Sequence, residues 1–170
     1  MTPGVRQPRV VLVGPPGAGK TTVGRLVAGA LGVPFRDTDS DIEARAGKPI
    51  PEIFIDDGEE VFRSLERAAV AEALSTFDGV LALGGGAVLA ESTRQLLSGQ
   101  CVVYLSVELS DAVARVGLGV GRPLLTLNPR ATLKYLLEQR RPLYEQVATQ
   151  TVRTDGRRPA DICAEILAAL

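Results

Sequence analysis

The 170-residue sequence predicts an α/β fold, a parallel sheet covered by helices on both faces. Three observations carry this expectation. The strand-like runs at residues 10–13, 80–83 and 101–105 are apolar without polar alternation, so both faces of each strand are to be buried. Segments with apolar residues at helical spacing separate them. Glycines cluster just past two of the runs, at residues 14–19 and 84–86, and ligands of such sheets bind at the carboxyl ends of strands.

The elements follow in order. Residues 9–13 are Val-rich and end at a glycine–proline cluster, as a buried strand should. From Lys20 to Leu31, apolar residues at Val23, Leu26, Val27, Ala30 and Leu31 make a helical stripe that Gly32 stops. A short extended piece at 33–36 leads into Asp37-Thr38-Asp39. Helical patterns then cover about 39–46, 50–56 and 59–74, the last with Val61, Phe62, Leu65, Ala68, Ala69 and Ala73 on one side. Strands at 80–83 and 101–105 end at Gly84 and near Ser106. A short helix at 111–116 runs into the glycine-punctuated residues 117–123. The long helix at 129–141 either ends there or continues past Pro142 with a kink. A brief strand at 151–153 precedes a last helix with Ile162, Ile166 and Leu170 at i, i+4 and i+8.

Composition narrows the function. The length suggests one domain, and 45% hydrophobic with 23% charged residues suffices for a packed core. Nineteen basic residues against twenty acidic give a net charge of −1, which argues against nucleic acid as the main partner. A small anionic ligand, needing only a few arginines, stays open. Histidine is absent, so histidine acid–base chemistry, phosphohistidine intermediates and His-ligated zinc are excluded. Cys101 and Cys163 form no C-x-x-C pair and read as small buried residues in a reducing compartment. Residues 1–8 read as a flexible polar tail and not as a signal peptide. Three consecutive glycines break the uncharged stretch at residues 79–90, so it is no spanning helix. A cytoplasmic protein without a membrane partner is expected.

Gly14-Pro15-Pro16-Gly17-Ala18-Gly19-Lys20-Thr21 matches G-x-x-x-x-G-K-[ST] at every position, after a strand and at the start of a helix. Glycines there let backbone N–H groups turn inward around an anion, and the helix adds its N-terminal dipole. Gly17, Ala18, Gly19, Lys20, Thr21 and Thr22 are the expected phosphate ligands. Lys20 can reach the β- and γ-phosphates, and the Thr21 hydroxyl can ligate Mg²⁺. This is an ATP or GTP site. The N-K-x-D signature of guanine specificity is missing, which disfavours a GTPase switch and leaves a small-molecule kinase.

Asp37-Thr38-Asp39 follows the second strand, on the edge that would face those phosphates. One carboxylate can serve a metal while the other meets an acceptor hydroxyl; equally, Asp39 can simply cap the next helix. Together with the P-loop, four further segments occur in order. They are residues 58–63 (G-E-E-V-F-R), 83–88 (L-G-G-G-A-V), 122–125 (R-P-L-L) and 141–144 (R-P-L-Y). From about residue 9 to the C-terminus the sequence resembles the shikimate kinase family.

That resemblance implies a P-loop NTPase fold with a five-stranded parallel sheet, and a single kinase domain over 9–170. Within it, about 37–63 would bind shikimate and about 116–126 would form a mobile lid. The implied reaction is ATP-dependent phosphorylation of the 3-hydroxyl of shikimate, a step towards chorismate and the aromatic amino acids. The implied state is a monomer that binds ATP, Mg²⁺ and shikimate and no nucleic acid. Thr21 would ligate Mg²⁺ directly and Asp37 through water. Asp39 would bind shikimate hydroxyls and act as base or orienter. Arg63 and Arg140 would hold the carboxylate, Gly84, Gly85 and Gly86 would offer N–H groups, and Phe54 and Phe62 would wall the pocket. Arg122 would reach the transferred phosphoryl group, with Arg115 and Arg157 flanking adenine.

The residues alone leave other readings open. Arg63 can pair with Glu59 at i, i+4. Phe54 and Phe62 can be ordinary core, and the three glycines a strand-end turn. Arg141 can replace Arg140, and Arg158 can replace Arg157, as the residue facing a ligand. A gluconate kinase and a nucleotide-binding regulatory module are the competing functions.

Overall fold

A computed structural model describes residues 6–109, 111 and 129–170. Five strands form one sheet: β1 (Val10–Val13), β2 (Phe35–Asp37), β3 (Val80–Ala82), β4 (Val102–Ser106) and β5 (Gln150–Arg153). Their order is β2-β3-β1-β4-β5 and every pair is parallel. The helices are α1 (Lys20–Leu31), α2 (Thr38–Ala46), α3 (Ile50–Asp56), α4 (Glu59–Thr76), α5 (Glu91–Leu97), α6 (Pro129–Val147) and α7 (Pro159–Ala168), with a 3₁₀ turn at Ala87–Leu89.

The pleat explains the continuous apolar runs. Val10 and Leu12, with Val80, Ala82, Val103 and Leu105, face a core made with α1, α7 and Leu133 and Leu137 of α6. Val11 and Val13, with Leu81, Leu83, Val102 and Tyr104, face the opposite core, made with α4, α5 and Tyr144 of α6. Both faces of β1 are sealed, at 1% exposure or less, and each such Val or Leu is worth roughly 1.5–3 kcal/mol of burial. A third, smaller core of Ile42, Ile53, Phe62 and Ala69 lies beneath α2, α3 and α4.

Two helices sit rotated from the expected stripe. In α1 the buried face is Val23, Gly24, Val27 and Ala28, while Leu26 and Ala30 are exposed. Gly24 sets this face: a Cβ there would strike the Phe35 ring and come within 3.0 Å of Leu12. In α4 the buried face is Phe62, Glu66, Ala69, Val70, Ala73 and Leu74, while Val61 and Ala68 are exposed. A buried glutamate hides from any hydropathy pattern, and here Arg63 of the same helix pairs with it.

Smaller differences have equally local reasons. The last helix ends at Ala168, so Leu170 lies beyond it and is 52% exposed. Cys163 is buried as expected, but Cys101, just before β4, is only half-buried. Helix α6 runs through Pro142 to Val147, because Leu143, Tyr144 and Val147 pack beyond the missing N–H. The glycine-punctuated stretch and the expected lid, with Arg115 and Arg122, lie outside the described residues.

Candidate active site

The glycine loop leaves the central strand and turns directly into α1. Gly17 and Gly19 hold φ of 82° and 91°, the left-handed region where a side chain is strained. Gly14 lies against β4, where a Cβ would stand 2.6 Å from the Leu105 carbonyl. Lys20 donates to the carbonyls of Gly14 (2.7 Å) and Pro15 (3.1 Å), folding back across the loop it follows. The Thr21 hydroxyl lies 3.4 Å from Asp37 Oδ2.

Asp37, not Asp39, caps α2: its Oδ1 accepts from the Asp39 N–H at 2.9 Å. The alternative in which Asp39 serves as the cap is therefore excluded. Asp39 sits in the first turn, where the helix dipole favours a carboxylate. Thr38 between them is fully buried, accepts from the Gly84 N–H and donates to the Ala82 carbonyl, both at 3.4 Å. It staples the start of α2 to the end of β3.

The three glycines after β3 are there for space. None has a positive φ. A Cβ on Gly84 would stand 2.6 Å from Asp39 Oδ1 and 3.2 Å from Glu66 Oε2. On Gly85 it would meet Pro16 of the glycine loop at 3.0 Å and Arg140 Nη1 at 3.5 Å; on Gly86 it would strike the Arg63 guanidinium. One tripeptide thus gathers Asp39, Arg140 and Arg63. Gly17, Gly19, Lys20, Thr21, Thr22, Asp37, Asp39, Leu83, Gly84 and Gly85 line one cleft of about 240 Å³.

The charges around the tripeptide are unusual in their burial. Arg63 Nη1 donates to Glu66 Oε1 at 2.8 Å, and its Nε lies 3.5 Å from Glu59, so the expected helical pair exists but is the longer contact. Arg140 is 5% exposed, and no carboxylate among the described residues is in ion-pair contact with it. Arg141 is exposed. Burial pushes the Glu66 carboxyl up, against the pull of Arg63, Arg140 and Arg67. Phe62 is buried in the third core, Phe54 packs against it with the rings tilted by 37° and 4.7 Å between centroids, and the Arg63 guanidinium lies over the Phe62 ring.

At the other end of the glycine loop, Arg157 joins Ala18, Gly19, Thr22, Val23, Pro159 and Ile162 around a recess of about 210 Å³. It donates to the Arg153 carbonyl at 2.9 Å. Arg158 points away, 83% exposed and paired with Asp161. Three site residues escape sequence reading: Thr38, Glu66 and Tyr144, whose hydroxyl donates to the Gly85 carbonyl at 2.5 Å. Helical spacing marks Glu66 on the face of Phe62 and Ala69, a signal available only once a charge is allowed inside.

This topology and loop define a P-loop phosphotransferase, with Asp39, Arg63 and Arg140 gathered around three glycines beside the phosphate loop. The family model described as shikimate kinase matches residues 16–170. Over 163 residues the chain is 71% identical to the shikimate kinase of Salinispora tropica, covering 96% of this chain and 98% of that one. The shikimate kinase of Thermobifida fusca is 57% identical over 162 residues, covering 95% and 94%. Among solved structures, the shikimate kinase from Acinetobacter baumannii in complex with shikimate is similar at a TM-score of 0.90 and 40% identity, covering 96% and 92%. The chain belongs to the shikimate kinase family.

Proposed function

We propose that the chain transfers the γ-phosphoryl group of ATP to the 3-hydroxyl of shikimate, giving shikimate 3-phosphate and ADP. The observation that carries this is Arg140, a guanidinium 5% exposed and without an ion-paired carboxylate among the described residues. A buried charge in that state calls for an anionic ligand. Gly85 leaves room beside it, and Arg63 stands at the next glycine, so the two guanidinia suit a carboxylate. Shikimate supplies that carboxylate, and three hydroxyls for Asp39 on the phosphate side.

Within this reading each residue has a task. Lys20 leaves the loop carbonyls for the β- and γ-phosphates, whose charge its ammonium stabilises as transfer proceeds. Asp39 orients the attacking hydroxyl and takes its proton. Gly85 and Gly86 offer backbone N–H groups, the Gly84 N–H being taken by Thr38, while Phe54 and Phe62 support the wall that carries Arg63. Arg157 lies at the adenine end of the loop, and Arg115 and Arg122 are assigned to adenine and the transferred phosphoryl group from the family pattern. Thr21 and Asp37 offer two hard oxygen donors 3.4 Å apart, a set that fits Mg²⁺. When bound, that ion neutralises charge on the phosphate oxygens. The enzyme is proposed to work as a monomer in the cytoplasm, as a single domain over 9–170.

A coupled ADP-release assay tests the reading. Turnover with ATP and shikimate is expected, with none above background when gluconate replaces shikimate. Turnover with gluconate alone would assign the other acceptor, and stable ATP binding without transfer to either would assign a regulatory module.

A further inference from the structure

Tyr144 lies outside the acceptor pocket yet holds part of it. The side chain is 1% exposed and its ring stacks on Tyr104 at 5.0 Å and 25°. Burial holds its phenol well above the ordinary value, with the Arg140 guanidinium pulling the other way, so the hydroxyl stays protonated and can donate. Its acceptor is the Gly85 carbonyl, at 2.5 Å. A trans peptide is planar, with its C=O and N–H antiparallel. Fixing the Gly85 carbonyl towards the buried tyrosine therefore aims the Gly86 N–H away from the core. Among the described residues no acceptor takes that N–H, and Gly86 abuts the Arg63 guanidinium.

We propose that Tyr144 is a positioning residue for the acceptor: its hydroxyl locks the Gly85–Gly86 peptide so that the Gly86 N–H is presented beside Arg63 to the acceptor carboxylate. This rests on the acceptor reading given above. Glycines resist rotation of their peptides poorly, which is why an external lock is needed. The lock also lies on the same turn-and-a-bit of α6 as Arg140, so one helix positions both the guanidinium and the peptide.

Steady-state kinetics of Tyr144→Phe test it, since the phenyl ring keeps the stack on Tyr104. The KM for shikimate, and its Kd by calorimetry without nucleotide, should rise about five- to tenfold. The KM for ATP should stay within about twofold, the reach of an unperturbed nucleotide loop. Tyr104→Phe, which removes a hydroxyl from the same stacked pair, should leave both KM values at the parent level. A Tyr144→Phe enzyme with parental shikimate KM, equal rises for both substrates, or an equal rise in Tyr104→Phe would each overturn the proposal. In the parent itself, shikimate alone should slow hydrogen exchange at the Gly86 amide, and an unchanged rate would overturn it too. A parent without shikimate-dependent ADP release would instead fail the acceptor reading.

Discussion

Lys20 is held by the very loop it would serve in the proposed reaction. Its ammonium rests on two loop carbonyls, and the same reach would bring it to phosphates that enter the loop. Lys20→Met should therefore lower kcat at least about a hundredfold, the scale for losing one fixed donor to transition-state charge. The melting temperature should move by only a few degrees, because no core contact is lost. A folded variant with near-parental kcat would remove Lys20 from the reaction. Glu66 is the opposite case, a charge kept inside. Its carboxyl is raised above the ordinary 4.5 by burial, so the folded chain holds this proton more tightly than the unfolded chain does. That contribution to stability is full below about pH 4.5 and is lost as pH rises through the raised value. Glu66→Gln cannot titrate, so the parent should lose unfolding free energy relative to the variant across that window. Urea unfolding at stepped pH measures the difference, and a parent that gains on the variant with rising pH would contradict the assignment.

At the scale of elements, the sequence made the strands and the glycine loop plain and misjudged two helix faces. Short Val-rich apolar runs ended by glycine read as doubly covered strands, and the loop pattern is fixed by the backbone geometry that phosphates need. Hydropathy, however, reads Gly24 as neutral and Glu66 as surface, while packing puts both inside. Gly24 is buried because α1 approaches β1 and β2 too closely for a side chain, and that closeness is a property of two elements together. Gly24→Ala should accordingly cost about 1–3 kcal/mol, the usual penalty of overpacking against a ring and a leucine. Chemical denaturation would report it, and an unchanged midpoint would show that α1 can shift outward freely. Thr38 was illegible for a related reason: its partners, Ala82 and Gly84, lie more than forty residues away.

The whole molecule brings the site together through strand order. Because β1 lies between β3 and β4, the glycine loop after β1 meets the three glycines after β3, and Pro16 abuts Gly85. Helix α6 then crosses to the second face and delivers Arg140 and Tyr144 to the same tripeptide. The order of motifs in the sequence identified the family, but only the sheet order shows why Asp39, Arg63 and Arg140 surround one tripeptide, the pocket proposed for the acceptor. The central claim is that this pocket takes the carboxylate of the acceptor, apart from the nucleotide. Calorimetric titration of shikimate and of ATP into the parent, Arg63→Ala and Arg140→Ala tests it most directly. Each variant should lose about 1.5–3 kcal/mol of shikimate affinity, the worth of a hydrogen bond to a charged group, while ATP affinity stays at the parental value. Equal losses for both ligands, or undiminished shikimate binding, would contradict the account.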